Sequence, residues 1–276
     1  LHIGDFISAM YNQSEENLII YDSTLSPSLS IFPSWQADGL QELGLPPWRL
    51  GSRLLSNKTF VNRGRIGRYA GQYAKGLVIN YEEGGILLGD GIEGTVLNFG
   101  NGIAIGYGAK GTVINFGNAN HNLGCSSRGT VINFGNATTR MADDAEGTVI
   151  AFRDPDNFGQ LSECCFFLNE QRSQERLDIK CYLEELKSTF EKGKNNDVAL
   201  KSALEKLGPE PGEKIKRDLE SLIPPCGSIS SVNSGMLSTP PQYQALLIDD
   251  EQQYINQFKK IIERRYENFS CRGLRT

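Results

Sequence analysis

The sequence predicts an α+β protein built around a triangular β-solenoid, with an irregular N-terminal cap and a C-terminal helical region. Three observations predict it. A six-residue phrase recurs at near-constant spacing. Apolar and small residues recur in step with that phrase, and helical spacing replaces both in the last third of the chain. A fixed short period means that one structural unit is stacked on itself, each copy being one turn of a solenoid.

Residues 1–57 read as the cap. Ile3 to Tyr11 has the pattern of a short helix and Leu18 to Tyr21 that of a strand. Ser26 to Trp48, with Pro27, Pro33, Pro46 and Pro47, is loop-rich and anchored by Trp35 and Trp48. A solenoid's first coil exposes apolar surface and unpaired strand edges, so closing that end is the segment's default task.

Residues 58–162 are the predicted stack. The phrase Gly94-Thr95-Val96-Leu97-Asn98-Phe99 returns at Gly111–Phe116 and Gly129–Phe134, and at Gly147–Phe152 with Ala151 replacing Asn. Looser copies start at Lys58 and Gly76, so the six starts step by 18, 18, 17, 18 and 18 residues. Three six-residue sides per coil make a triangular prism of about six coils, one of them a residue short at Gly102–Ile103. Apolar Ala70, Leu88, Ile105, Leu123 and Met141 are each followed by a small residue, as a narrow corner requires.

In a strand, alternate side chains face opposite ways. Thr, Ile/Leu and Phe form one set and Val and Asn the other, so both faces carry large apolar groups. Two arrangements follow. In the preferred one Val and Asn point inward and Asn98, Asn115 and Asn133 stack amide on amide, because a buried amide without a partner costs about 1–3 kcal/mol. The outer face is then a binding ladder of Tyr81, Phe99, Phe116, Phe134 and Phe152 beside Ile114, Ile132 and their equivalents. Each such side chain contributes about 1.5–3 kcal/mol when covered. In the reverse arrangement the rings are core.

Residues 163–225 turn helical, with Leu177, Ile179, Tyr182, Leu183, Leu186 and Phe190 on one face of Arg172–Glu191. Further helices are expected at Val198–Leu207 and Glu213–Ile223, each ended by Gly or Pro. Residues 226–241 read as a linker. Residues 242–276 hold a last amphipathic helix over Asp249–Asn268 and a basic tail with Lys259, Lys260, Arg264, Arg265, Arg272 and Arg275. These helices need a surface to cover and the solenoid face needs a cover, within one chain or between two.

The side Leu88-Gly89-Asp90-Gly91-Ile92-Glu93, with echoes at Ile105-Gly106 and Leu123-Gly124, resembles the hexapeptide repeat of left-handed β-helices. The other two sides begin with Gly and depart from that pattern. Six coils of this length also resemble the bactofilin type of polymerising β-solenoid. Both resemblances are architectural and cover about a third of the chain. The hexapeptide resemblance implies an acyltransferase alternative, trimeric, with an acyl-CoA donor and His121 as general base. The competing reading of His121 is a solvated coil residue.

Other constellations point to structure. Asp143-Asp144 with Arg140, and Asp90 on the same side, need a bend to form a joint site. Lys75, Glu93, Lys110, Arg128 and Glu146 share one corner and suit an ion-pair ladder. A Thr ladder (Thr95, Thr112, Thr130, Thr148) carries one hydroxyl per coil beside bulky Phe, which argues against ice binding. The six Cys, at 125, 164, 165, 181, 226 and 271, have no CxxC spacing, so neither a metal site nor a cofactor is expected, and idle thiols in the cytoplasm are.

Net charge is −5 and no apolar run approaches the roughly 20 residues of a membrane span. Neither a membrane nor a nucleic-acid partner is expected, although the basic tail makes an RNA- or ribosome-associated factor the third reading. Leu at position 1 leaves an upstream segment open. The function expected first is a non-enzymatic scaffold whose solenoid face docks helices, a protein partner or a second copy.

Overall fold

The repeated phrase folds as consecutive strands of one parallel sheet. The computed structural model describes residues 3–22, 48–137, 140–152 and 173–223. Trp35, the linker at 226–241, the helix expected at 249–268 and the basic tail lie outside these residues, as do Cys164, Cys165, Cys226 and Cys271. The chain winds as a parallel β-solenoid of about 5 turns, with helices in its C-terminal region.

The long sheet has seven strands: β1 (Leu18–Tyr21), β2 (Thr59–Asn62), β3 (Leu77–Asn80), β5 (Thr95–Asn98), β7 (Thr112–Asn115), β9 (Thr130–Asn133) and β11 (Thr148–Ala151). Register is held position for position, so Thr95, Thr112, Thr130 and Thr148 are lateral neighbours, as are Asn80, Asn98, Asn115 and Asn133. A second sheet of four short strands forms another side: β4 (Glu83–Ile86), β6 (Asn101–Ile103), β8 (Asn118–Ala119) and β10 (Asn136–Ala137). The missing residue of the short coil is absorbed here, where the β4–β6 register shifts, and the long sheet runs on undisturbed.

The third side is a turn, not a strand. Each rung places three alternate residues in the left-handed region: Leu87, Gly89 and Gly91 at φ of 63°, 67° and 61°, then Ala104, Gly106 and Gly108 at 53°, 66° and 63°. The middle position is the tight one. A Cβ on Gly89 would stand 2.5 Å from Val96 Cγ2, and one on Gly106 2.5 Å from Val113 Cγ2. At Gly89 and Gly106 glycine therefore avoids a clash as well as an unfavourable φ.

The prism core is a column of Val78, Val96, Val113, Val131 and Val149 against Leu88, Ile105, Leu123 and Met141, all buried. Val and Asn thus point inward. Helix α1 (Ile3–Gln13) closes the N-terminal end with Tyr11, whose hydroxyl donates to the Thr59 carbonyl at 3.2 Å. The buried Lys58 ammonium lies over the Tyr11 ring and donates to the carbonyls of Ser14 and Glu16 at 2.7 and 2.6 Å.

The solenoid pattern starts before residue 58. β1 pairs with β2 in parallel, and residues 49–53 repeat the turn-side geometry, with Arg49, Gly51 and Arg53 at φ of 59°, 69° and 54°. Gly71 N donates to Leu50 O and Lys75 N to Leu54 O, as later rungs bond each other. The step from Gly51 to Gly71 is two residues longer than the usual 18, which hides this rung from a periodicity search.

Three helices lie on the outer face of the long sheet: α2 (Ser173–Glu191), α3 (Asp197–Leu207) and α4 (Pro211–Leu222). Asn196 caps α3 by accepting from Ala199 N at 3.0 Å, Gly208 ends it, and Pro211 opens α4.

Candidate functional site

The outward set of each long strand is the Ile/Leu and aromatic set. Ile79, Leu97, Ile114, Ile132 and Ile150 are fully buried beneath Ile179, Leu183, Phe190, Leu200, Ile215 and Leu219 of the helices. Tyr81 and Phe116 are 3% and 7% exposed, while Phe99, Phe134 and Phe152 are half-buried at the edge of the same cluster. Their rings form a continuous ladder with centroid separations of 5.3, 5.0, 5.9 and 5.2 Å from Tyr81 to Phe152. The first two pairs stack and the last two meet edge to face, both favourable for aromatic quadrupoles. The predicted binding ladder is occupied by the chain's own helices.

Polar contacts fix the register of that cover. The Tyr81 hydroxyl donates to Phe190 O at 2.6 Å, and Thr95 Oγ1 donates to Gly212 O at 2.8 Å. Arg63 spans both layers, pairing with Asp197 and donating to Gly193 O at 2.6 Å. Lys194 pairs with Glu82 at 2.7 Å and Ser56 donates to Glu210 at 2.6 Å. Burial raises the Tyr81 phenol well above its ordinary pKa, as it does that of Tyr182, which Asp218 raises further. Both are hydrogen-bond donors at any ordinary pH.

Inside the prism the amides form one line. Asn62 Nδ2 donates to Asn80 Oδ1 at 2.6 Å, Asn80 to Asn98 at 2.7 Å, Asn98 to Asn115 at 2.7 Å and Asn115 to Asn133 at 2.8 Å. Asn80, Asn98 and Asn115 also donate to the carbonyls of Glu82, Gly100 and Gly117, two residues on. The line ends where Ala151 replaces Asn, and the Asn133 Nδ2 is left buried without a partner. A second amide ladder, on the exposed side of the short sheet, escaped the sequence reading. Asn136 Nδ2 donates to Asn118 Oδ1 at 2.9 Å and Asn118 Nδ2 to Asn101 Oδ1 at 2.8 Å. Its signal is the Gly-Asn pair that follows each Phe at 100–101, 117–118 and 135–136.

His121 is exposed and its carbonyl accepts from Ala104 N. Cys125 is buried, donates to Arg140 O at 3.2 Å, and burial pushes its thiol up to about 11, so it is no thiolate nucleophile near neutral pH. The bend that Asp143-Asp144 would need exists, with Arg140, Ala142 and Asp144 all at positive φ. Asp90, however, accepts the Gln72 amide at 2.7 Å. Among the described residues, no three His, Cys, Asp or Glu side chains gather as metal ligands. The shared corner is an ion-pair row: Lys75 and Lys110 each lie 3.6 Å from Glu93, and Arg128 lies 2.9 Å from Glu146. Thr95 and Thr112 are buried under the helical layer.

No protein-family model, curated protein or solved structure matches the chain. Among the described residues no helix is long and apolar enough to cross a membrane.

Proposed function

We propose that this protein is a non-enzymatic interaction scaffold, the solenoid its rigid core and the helical layer the part that meets a protein partner or a second copy. The observation that carries this reading is the aromatic and aliphatic ladder buried beneath α2, α3 and α4. Area and register go into holding a shaped surface in place, and the buried thiol and phenols are kept protonated and unreactive. Large apolar side chains remain on the outside of that layer, Leu177 on α2 and Val198 on α3, which is 78% exposed. The likeness to bactofilin-type stacks supports self-association, and the likeness to hexapeptide-repeat proteins supports association through prism sides.

Light scattering of the full chain tests the reading. A mass above the 30.5 kDa of one chain, returning to 30.5 kDa in a Leu177→Glu/Val198→Glu variant of unchanged circular dichroism, supports a self-associating scaffold. Acyl transfer from an acyl-CoA that disappears in His121→Ala would move the protein to the enzyme class.

A further inference from the structure

Charge along this chain is segregated. From Trp48 to Lys75 there are five arginines, two lysines and no acidic residue, in a chain of net charge −5. Lys58 and Arg63 are used inside the fold, but the others reach the surface of the first coils. Arg49 N donates to Arg68 O at 2.9 Å and Arg53 N to Gln72 O at 2.8 Å, so residues 48–54 and 68–74 are adjacent rungs of the turn side. Leu50, Leu54, Ala70 and Ala74 point into the prism, leaving Trp48, Arg49, Arg53, Arg68, Tyr69 and Tyr73 outward.

Rings and guanidinium groups alternate on this surface. Arg68 lies 5.8 Å from the centre of the Trp48 ring and Arg49 5.6 Å from that of Tyr69. Tyr73 is 50% exposed and its ring lies over Gly91, where a Cβ would come within 2.4 Å of a ring carbon. The glycine clears a floor on which the ring lies along the surface. The carboxylates that face the patch are engaged: Asp5 with Arg49 at 3.2 Å, Glu83 with Arg65 at 3.0 Å, Glu93 with Lys75 at 3.6 Å, and Asp90 with the Gln72 amide. Among the described residues no carboxylate pairs with Arg53 or Arg68.

We propose that these two rungs bind single-stranded nucleic acid, Arg53 and Arg68 taking phosphates while bases stack on Tyr73, Tyr69 and Trp48. Single strands are held by a positive track together with aromatic platforms, since every base has a π face. Guanidinium groups suit phosphate because they stay charged and present paired N–H donors. A duplex keeps its bases stacked inside and would use only the arginines. An acidic peptide would also ignore the rings. The site lies on a different side of the prism from the helical layer, and it stands or falls independently of the scaffold reading.

The test is fluorescence anisotropy of the full chain with a labelled uridine oligomer of about ten nucleotides, its deoxythymidine counterpart, and polyglutamate. Binding of both oligomers is expected at low salt, with log K falling against log salt by about 0.7 per phosphate engaged, a slope near −1.4 for two. Arg53→Glu/Arg68→Glu should weaken oligomer binding at least about tenfold, and Tyr73→Ala at least about fivefold while sparing polyglutamate, with circular dichroism unchanged in both. A preference for the uridine oligomer would assign the site to RNA and equal binding to single strands in general; either supports the proposal. Absence of oligomer binding overturns it. So does binding that the arginine variant leaves intact, which would place it on the basic C-terminal tail. Equal capture of polyglutamate with no effect of Tyr73→Ala also overturns it, in favour of an acidic protein site.

Discussion

Asn98 Nδ2 donates to Asn115 Oδ1 at 2.7 Å across the one coil that is a residue short, the same reach found across the 18-residue coils on either side. The short coil is accommodated entirely in the short sheet, whose register shifts at β4–β6. The long sheet is less tolerant because a slip of one residue would turn every amide outward and every Ile inward.

Replacing Asn98 should therefore be costly. Asn98→Ala removes the acceptor of Asn80 and the donor to Asn115 and opens a small void, for a loss of about 1–3 kcal/mol. Asn98→Asp is expected to lose about 3 kcal/mol or more at neutral pH, because a buried carboxylate would face the Asn115 oxygen. Burial raises the pKa of that new carboxyl, so the folded state holds its proton more tightly than the unfolded chain. Stability should be greatest below the ordinary carboxyl pKa and decline as pH rises through the folded value. Urea midpoints of Asn98→Asp at pH 4 and pH 8 check the sign; equal midpoints would contradict it.

The seat of the helical layer is testable at its polar contacts. Thr95→Val keeps volume but removes the hydroxyl bond to Gly212 O, and Tyr81→Phe removes the one to Phe190 O, which still accepts from Gly193 N at 2.8 Å. Each should cost about 1 kcal/mol in chemical denaturation. Phe116→Glu should cost several times more and raise hydrogen exchange across α2, α3 and α4 before the solenoid strands exchange. Uniform exchange through both layers would show that cover and prism unfold as one unit.

The turn side has a required glycine. Gly106→Ala forces a side chain into the left-handed region and toward Val113, so a loss of at least about 1–2 kcal/mol is expected. Ala142 already occupies the matching position of the last described rung at φ 56°. Ala142→Gly relieves strain while deleting a buried methyl, so its thermal midpoint should move little. A thermal midpoint for Gly106→Ala equal to that of the parent would refute the steric argument.

Cys125 and Cys181 should separate by reactivity. The exposed Cys181 is expected to react with a thiol reagent at pH 8, and Cys125 only on unfolding or near pH 11. A thiol whose folded pKa lies above its ordinary value of 9.0 contributes stability that is present below about 9 and lost as pH rises toward 11. Mass spectrometry of labelled peptides at the two pH values reads this directly. The Cys125→Ser variant should lose that alkaline component of its pH–stability curve.

Much of the solenoid was legible because parallel in-register stacking brings the same position of every coil together, and a position that must satisfy its own copy above and below keeps its residue type. That is why Thr-Val-Ile-Asn-Phe is nearly invariant from Thr95 to Phe152. β1 was legible as a strand but not as part of the stack, since 41 positions separate Leu18 from its partner Thr59. The rung at 49–53 was missed because Gly51, its central glycine, stands 20 residues before Gly71 and so falls out of step with the 18-residue period. The basic patch was invisible to net charge because it is local, and its carboxylates are supplied by other rungs and by α1.

The sequence by itself determined the period, the strand phrase, the inward amides as the preferred arrangement, and the four described helices at close to their observed bounds. Tertiary structure alone decided what covers the outer ladder. Both faces of each long strand are apolar, and alternation tells which residues share a face but not what lies against it. Only the docking of Phe190 on Tyr81 and of Gly212 on Thr95 showed that the chain's own helices close that face.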